Sequence, residues 1–308
     1  MIASAAAKAT RTPGEGRAPA RPRSSRSSAL PCLFAIAFLL FAGPVLAQDD
    51  AAESVQEAEV APASAVPEVP GQTPLMKDGI LDLDAAVAYF EDLYRAESSH
   101  SRAELTMTTP RRERTLGMEI WTKGEDNALI VIQSPPREKG TATLKVGQNL
   151  WNYLPRIKRT VRIPPSMMLA SWMGSDFTND DLVRDSSYKD DYTYELVGPS
   201  EDPPGWLIRF EAKPDMIGLW KSLELVVSED GRIPLLARNF DRKDRLARTM
   251  YWDEVKEFDG KLVPSRMTLI PEDEDKEGHK TVMRYLELHF DVDMPADTFS
   301  LSRLEQKR

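Results

Sequence analysis

Apolar and polar residues alternate through most of the chain between residues 101 and 290. In 103–107 and 116–121 every second residue is apolar, which is the period of a half-buried β-strand. The run 128–133 is apolar at almost every position, as in a strand that is buried on both faces. The same pattern predicts further strands at Thr141–Val146, Leu150–Leu154, Lys158–Ile163, Tyr192–Val197, Trp206–Glu211, Ser222–Val227, Pro234–Phe240, Ala247–Val255, Lys261–Leu269 and Thr281–Phe290.

Short turn sequences separate these strands. They include GQN at Gly147, DPPG at Asp202, EDG at Glu229 and FDG at Phe258. Connections this short join antiparallel neighbours, because parallel strands need a long crossover. The sequence therefore predicts a mainly β fold built on one large, curled antiparallel sheet.

A helix is predicted in front of the sheet. Apolar residues recur at steps of four, three and four from Leu83 to Tyr94, which is one face of a helix, and Asp82 or Asp84 can cap it. Few other helices are visible, and we expect them to cover the concave face of the sheet. That apolar face must be filled by helices, by a ligand, or by both in alternation.

The first 47 residues are expected to be a signal peptide. Six basic residues and one acid precede the apolar run Ala29–Ala47, which ends in small residues. An N-terminal membrane anchor is the alternative, although Gly43 and Pro44 interrupt the run before it reaches the length of a spanning helix. Residues 48–77 are expected to be a disordered acidic Ala/Pro linker, and residues 78–308 a single domain.

The composition after the signal excludes several classes of function. Cys32 is the only cysteine and precedes residue 47, so disulfides, thiol catalysis and cysteine-bound metals are excluded from the secreted part. The chain has 40 basic and 49 acidic residues; without the six basic residues and one acid of the signal, the net charge is -14. We therefore expect no nucleic-acid binding and no tight adsorption to anionic lipid surfaces.

The stretch Ser166–Leu182, SMMLASWMGSDFTNDDL, combines methionine and tryptophan with a run of acids. Its acids Asp176, Asp180, Asp181 and the following Asp185 do not have the spacing of a calcium loop. Thr178 or Asn179 capping a short helix explains them better, and no metal site is expected.

The methionine and tryptophan residues of this stretch suit a mobile apolar lid or plug over the concave face. Met167, Met168, Trp172 and Met173 lie between a Pro-Pro pair and Gly174, which excludes a long helix. Methionine adapts its shape to varied apolar ligands. A loop that simply fills the core is the alternative.

The densest basic patch of the chain lies just upstream, at Arg156, Lys158, Arg159 and Arg162. These residues are candidates for contact with a lipid headgroup or a partner. Strand alternation sends Lys158 and Arg162 to one side and Arg159 to the other. The alternative is an ordinary charged strand face turned towards nearby acids.

Known catalytic patterns are absent from the sequence. There is no Gly-x-Ser-x-Gly elbow and no His-Glu-x-x-His helix, and His100, His279 and His289 lie far apart. We expect neither an enzyme nor a cofactor. A hydrolase that uses Asp176 with His289 is kept as a rival interpretation.

Two motifs resemble the outer-membrane lipoprotein-sorting protein family, the LolA-like proteins. The first is W-x-Y-x-P-x-x-x-[KR] at 151–159, and the second is G-S-D-F-x-x-x-D-L at 174–182. The closing MPADTFSLSRL at 294–304 is also similar, so the resemblance covers 81–304.

The resemblance implies an unclosed antiparallel β-barrel with a hydrophobic cavity for acyl chains. It also implies a carrier without catalysis, in the periplasm of a Gram-negative bacterium. The implied partners are lipid or lipoprotein acyl chains, an inner-membrane lipid exporter or lipoprotein-releasing complex, and an outer-membrane acceptor. A regulatory sensor that acts on a membrane-anchored partner is the alternative function. The expected cavity and lid residues are Phe90, Trp121, Trp151, Tyr153, Met167, Met168, Leu169, Trp172, Met173 and Phe177.

Overall fold

The computed structural model of the chain describes residues 74–94, 96–183, 187–214, 216 and 219–305. The predicted signal peptide, most of the predicted linker and Asp185 lie outside these ranges.

One antiparallel sheet of 13 strands dominates the described residues. Its strands are β3 (Ser98–Thr109), β4 (Arg112–Lys123), β5 (Asn127–Ser134), β6 (Ala142–Val146), β7 (Asn149–Leu154), β8 (Arg159–Arg162), β9 (Tyr192–Glu201), β10 (Pro204–Ala212), β11 (Trp220–Val227), β12 (Pro234–Asp241), β13 (Leu246–Phe258), β14 (Lys261–Pro271) and β15 (Lys280–Phe290). Every predicted strand is confirmed, with bounds that differ by a few residues.

The strand order shows that the sheet is not closed. From one edge it runs β8-β7-β6-β5-β4-β3-β15-β14-β13-β12-β11-β10-β9, so β8 and β9 each lack a neighbour on one side. The pairing of β3 with β15 joins the first and last strands in the middle of the sheet. All other neighbours are consecutive in the chain, as the short turns predict.

Cross-strand register divides the side chains between two faces. Trp252 lies opposite Met267, Met267 opposite Met283, Met283 opposite Leu105, and Leu105 opposite Leu116. Directly paired residues point to the same side of a sheet. This row therefore marks one face, which we call the α1 face after the helix that packs on it; the other is the α4 face.

Helix α1 (Leu83–Asp92) confirms the predicted leading helix. The Asp82 carboxylate accepts a hydrogen bond from the Ala85 amide at 3.1 Å, and Ala86 and Val87 are fully buried. They pack in one cluster with residues of β9–β13, including Phe210. The helix therefore covers the half of the α1 face that lies towards β9.

A small hairpin precedes α1 and shifts the predicted domain boundary. Strands β1 (Met76–Lys77) and β2 (Ile80–Leu81) pair antiparallel, and Leu81 is buried in the same cluster as Val87. The folded part therefore begins before residue 78.

Three short helices complete the fold: α2 (Asn179–Val183), α3 (Tyr188–Asp191) and α4 (Leu301–Glu305). Leu304 of α4 packs with Leu129 and Val131, whereas Ile130 and Ile132 of the same strand belong to a cluster on the α1 face. The prediction that β5 is buried on both faces is confirmed. Helices cover both faces of the sheet, whereas only the concave face was expected to be covered.

None of the helices within the described ranges combines the length and the apolar character that a membrane span requires.

Candidate functional site

Residues 164–182, which we call the plug, cover the half of the α1 face that α1 leaves free. Trp172 is only 3% exposed and packs in one cluster with Leu105, Leu116 and Met118. Its indole Nε1 donates a hydrogen bond to Thr143 Oγ1 at 3.1 Å. Trp172 thus fills the core, which was the alternative to the mobile lid.

A tight turn inserts Trp172 and Phe177 side by side. The Trp172 amide donates to the Phe177 carbonyl at 2.8 Å, and the Ser175 hydroxyl donates to the Trp172 carbonyl at 2.7 Å. Met173 and Gly174, at the point of reversal, have φ of 54° and 79°. The Gly-Ser-Asp-Phe motif therefore shapes the turn that carries the apolar side chains inward.

Asp176 of the same motif anchors the turn to the sheet. Its amide donates to Thr281 Oγ1 at 3.0 Å, and Thr281 Oγ1 donates to the Asp176 carboxylate at 2.7 Å. His279 Nδ1 lies 4.0 Å from Asp176, whereas His289 Nδ1 lies 3.3 Å from Asp259. The pairing of Asp176 with His289 in the rival hydrolase interpretation is therefore wrong.

The acidic end of the plug caps helix α2. The Asp181 amide donates to Thr178 Oγ1 at 3.2 Å, and the Thr178 amide donates to the Asp181 carboxylate at 2.8 Å. This reciprocal pair is a capping box. The predicted cap at Thr178 is confirmed.

Within the described ranges no group of three His, Asp or Glu side chains could hold a metal ion.

A largely buried ion pair fastens the capped helix to β13. Arg248 donates to the second Asp181 oxygen at 2.9 Å, and the two side chains are 13% and 16% exposed. The guanidinium lies 4.5 Å from the centroid of the Trp220 ring, as in a cation–π contact. Polar contacts from Thr143, Thr281 and Arg248 thus hold the plug on the sheet, and the Arg114 guanidinium of β4 adds another by donating to the Met173 carbonyl at 3.4 Å.

The space beside the acidic end of the plug is small. A cavity of about 110 Å³ adjoins the plug. At about 30 Å³ per water molecule it holds only a few waters. An acyl chain would need the plug or α1 to move aside. The lining residues are Asp180, Asp181, Tyr188, Tyr192, Met216, Leu219, Trp220, Leu223, Asn239 and Arg248.

Half of the predicted cavity and lid residues line the α1 face. Phe90 packs against Tyr188 and Trp252, at ring-centroid distances of 5.0 and 6.4 Å. Met167 and Leu169 are 49% and 61% exposed on the surface of the plug. The remaining members belong to the buried side of the plug and are buried or half-buried: Met168, Trp172, Met173 and Phe177.

The other predicted cavity residues lie on the opposite face, so the structure does not bring the whole predicted set together. Trp121, Trp151 and Tyr153 pack in the cluster of Leu304 on the α4 face. Trp151 lies opposite Leu144, which lies opposite Leu129. The register therefore places the side chains of these three residues on the α4 face. The first sequence motif therefore packs against α4 and not against the plug.

The α4 face has a cavity of its own, of about 490 Å³. It lies where the first motif meets the closing segment of the chain. The lining residues are Leu129, Val131, Lys139, Gly140, Ala142, Tyr153, Pro155, Lys158, Arg303, Leu304 and Glu305. This volume is within the range of small-molecule sites.

The predicted basic residues surround the β7–β8 hairpin. Arg156 and Lys158 lie in its turn, while Arg159 and Arg162 begin and end β8. Arg159 lies opposite Leu154 on the α1 face, and Arg162 lies opposite Trp151 on the α4 face, as alternation predicts. The Arg162 guanidinium donates to Asn149 Oδ1, and all four side chains are exposed.

Sequence reasoning missed the partners that hold the plug. Thr143, Thr281 and Arg248 lie on three strands that are far apart in the chain. A threonine that is buried in a strand carries no sequence signal that separates a tertiary acceptor from an ordinary β-former. The short helix α4 was also missed as an element, and only the similarity of the closing segment drew attention to it.

Residues 124–306 match the model of a family described as "-like: Uncharacterized protein". No curated protein matches the chain.

Three solved structures share the fold. A DUF1329 family protein from Desulfovibrio piger has 25% identity, covers 76% of this chain and 100% of its own, and gives a TM-score of 0.63. A putative outer membrane lipoprotein-sorting protein domain from Vibrio parahaemolyticus has 19% identity, coverages of 73% and 98%, and a TM-score of 0.62. A LolA superfamily protein from Nitrosomonas europaea has 18% identity, coverages of 71% and 98%, and a TM-score of 0.58.

The family model spans more than half of the chain, and the three solved structures superpose on its open antiparallel sheet with TM-scores of 0.58 to 0.63. The chain therefore belongs to the family that this model describes, and it shares its fold with the DUF1329, lipoprotein-sorting and LolA superfamily structures.

Proposed function

We propose that this domain is a periplasmic carrier that binds acyl chains of a lipid or lipoprotein against the α1 face. The observation that supports it best is the cover of that face. A sheet with two free edges has an apolar face that is covered by short elements: the ten-residue helix α1, the plug, the β1–β2 hairpin and Tyr188 of α3. Such a cover can be exchanged for a guest without breaking the sheet.

The exchange is favourable only by a modest amount, which suits a carrier. Burying an acyl chain contributes about 0.8 kcal/mol per methylene. Displacing the plug exposes Trp172 and Phe177 and breaks the contacts to Thr143 and Thr281, which offsets much of this gain. The domain would therefore accept cargo and also release it.

The cargo would travel from the inner membrane to the outer membrane. Residues 1–47 direct the chain to the periplasm. An inner-membrane lipid exporter or lipoprotein-releasing complex would load the carrier, and an outer-membrane acceptor would receive the acyl chains. The net charge of -14 of the chain after the signal keeps the loaded carrier in solution. No catalysis by this chain is required.

The test is the lipid that co-purifies with the native protein. Protein from the periplasm is extracted with solvent and the extract is identified by mass spectrometry. Delipidated protein is then reloaded with a fluorescent fatty acid. We expect acylated material in the extract and reversible reloading. Protein that carries no acylated compound and does not take up the probe would contradict the proposal.

Two variants show which face holds the guest. Met283 is half-buried beneath the plug, and Val146 is half-buried on the α4 face. Met283→Glu should reduce probe binding at least tenfold, because it places a charge in the acyl site. Val146→Glu is the matched control and should bind normally. Thermal unfolding of both variants verifies that each is folded.

A further inference from the structure

Exposed apolar side chains concentrate in one short part of the chain. Nine large apolar side chains are exposed among the described residues, and five of them lie between residues 154 and 169. The five are Leu154, Ile157, Val161, Met167 and Leu169, between 38% and 61% exposed. The other four are scattered, at Ile80, Val197, Leu286 and Leu301.

The same part of the chain is free of acids. No Asp or Glu occurs from Lys139 to Ser175, although the whole chain has 49. Six basic residues lie in this interval. Within the part of the chain that the structure describes, Arg156, Lys158 and Arg159 are exposed and form no ion pair with a carboxylate.

The fold gathers these apolar and basic residues at one edge of the sheet. β8 is an edge strand, and Arg159 lies directly opposite Leu154. Val161 shares the face of Arg159 because it is two residues further along the strand. Ile157 lies in the turn between β7 and β8, and the plug follows the end of β8 in the chain. We call this surface the edge patch: Leu154, Arg156, Ile157, Lys158, Arg159, Val161, Met167 and Leu169.

We propose that the edge patch docks the domain on the surface of an anionic phospholipid membrane, in contrast to the expectation that the net charge alone gives. Apolar side chains enter the boundary between headgroups and acyl chains, while arginine and lysine keep their charges among the phosphates. At physiological salt, charges more than about 8 Å from the membrane surface are largely screened, so the acids elsewhere in the domain oppose this contact little. In every other orientation of the domain these acids face the membrane and are repelled by it. The repulsion therefore directs the patch to the membrane.

The inference rests on the proposed function in one respect, since it names the surface where the carrier would exchange cargo. Met167 and Leu169 lie on the exposed side of the plug, while Trp172 fills the core from its buried side. Insertion of the exposed side into the lipid boundary would draw the plug away from the sheet. The acyl site would then open at the membrane and stay closed in solution.

Vesicle flotation with the cargo-free protein tests the docking. We expect binding to phosphatidylglycerol–phosphatidylethanolamine vesicles, weaker binding at high salt, and none to phosphatidylcholine vesicles. A basic residue near an anionic surface contributes about fivefold to partitioning. The triple variant Arg156→Glu, Lys158→Glu, Arg159→Glu should therefore lose on the order of 100-fold or more.

Matched variants separate the patch from general effects of charge and hydrophobicity. The control for the triple variant is Arg111→Glu, Lys243→Glu, Lys256→Glu, which reverses three exposed basic residues elsewhere. Ile157→Ser with Leu169→Ser should also weaken binding, whereas Val197→Ser with Leu286→Ser should not. The inference is overturned if the wild-type protein does not bind the anionic vesicles, or if the controls lower binding as much as the patch variants.

Failure of docking and failure of the carrier proposal are distinguishable. Retention of the fluorescent fatty acid is measured without vesicles on the same preparations. Ile157→Ser alone, which changes a turn residue outside the plug, should weaken vesicle binding and retain the probe like the wild type. Vesicle binding without probe retention would remove the carrier proposal and leave the docking intact, and the reverse result would remove the docking alone.

Discussion

The indole Nε1 of Trp172 donates to Thr143 Oγ1 at 3.1 Å, and Thr143 Oγ1 in turn donates to Asn152 Oδ1 at 2.8 Å. This chain of hydrogen bonds joins the plug to β6 and β7. Buried polar groups need partners, and here the only polar atom of the buried tryptophan side chain has one. The plug therefore closes the α1 face with an apolar ring whose N–H is satisfied by the sheet.

Replacing Thr143 by valine should weaken the plug. The substitution keeps the shape of the side chain but leaves the Trp172 N–H buried without an acceptor, which costs about 1–3 kcal/mol. We expect a lower free energy of unfolding in urea and faster amide exchange in residues 164–182.

Thr106→Val is the control for this substitution. Thr106 is half-buried, and its hydroxyl pairs with that of Thr115 at 2.9 Å in a solvent-exposed contact. Its loss should change the free energy of unfolding little. Equal effects of Thr106→Val and Thr143→Val would contradict the role given to the Trp172 hydrogen bond.

Removing the cation from the Asp181–Arg248 pair should destabilise the domain strongly. Arg248→Met leaves the Asp181 carboxylate largely buried without its partner, which costs roughly 2–4 kcal/mol. Arg102→Met is the comparison, because Arg102 and Glu287 are 54% and 47% exposed. Exposed pairs contribute less than about 1 kcal/mol. Denaturant unfolding of both variants should show this difference, and similar losses would argue against a buried anchor.

A reversible cross-link should lock the plug. Asp176 and Thr281 already contact each other through their side chains, and Cys32 is the only native cysteine. In the variant Asp176→Cys, Thr281→Cys, we expect the oxidised protein to exclude a fluorescent fatty acid. Reduction with dithiothreitol should restore binding to the same sample. Asp176→Cys alone should bind the probe in both redox states, and undiminished binding by the oxidised double variant would show that the plug need not move.

The domain should lose stability in strongly alkaline solution. Burial raises the pKa of Tyr285 to about 12, and burial together with Tyr285 raises the pKa of Tyr94. The two rings lie 6.0 Å apart between the end of α1 and β15. The folded state holds these protons more tightly than the unfolded chain, whose tyrosine pKa is about 10. Their contribution is therefore complete below pH ~10 and is lost as the pH rises through about 12.

Urea unfolding at increasing pH measures this loss, and tyrosinate absorbance follows the titration. The decline in the free energy of unfolding between pH ~10 and ~12 should be smaller in Tyr285→Phe than in the wild type. An identical decline in both proteins would show that Tyr285 does not titrate with unfolding.

The sheet was predictable because its signals are local. Alternation located each strand, short turns indicated antiparallel pairing, and the continuous apolar run of β5 indicated burial on both faces. The Thr178 cap followed in the same way, since a hydroxyl and an acid three residues apart form a capping box within one turn.

The site was only partly predictable because it depends on which face a side chain reaches. The alternation of β7 places Trp151 and Tyr153 on the same side, but it does not say which side the plug covers. That assignment requires the register from β7 through β6 to β5. Helix α4, which covers the opposite face, has only five residues, too few for a helical period to stand out.

The central claim is that a fatty guest takes the place of the plug on the α1 face. Photo-crosslinking with a diazirine fatty acid, followed by peptide mapping, tests it most directly. The account predicts labels on α1-face residues of β3, β4 and β15, such as Leu105, Met118 and Met283, and fewer labels in the oxidised Asp176→Cys, Thr281→Cys variant. Labels confined to Tyr153, Leu304 and the other residues of the α4-face cavity would contradict it.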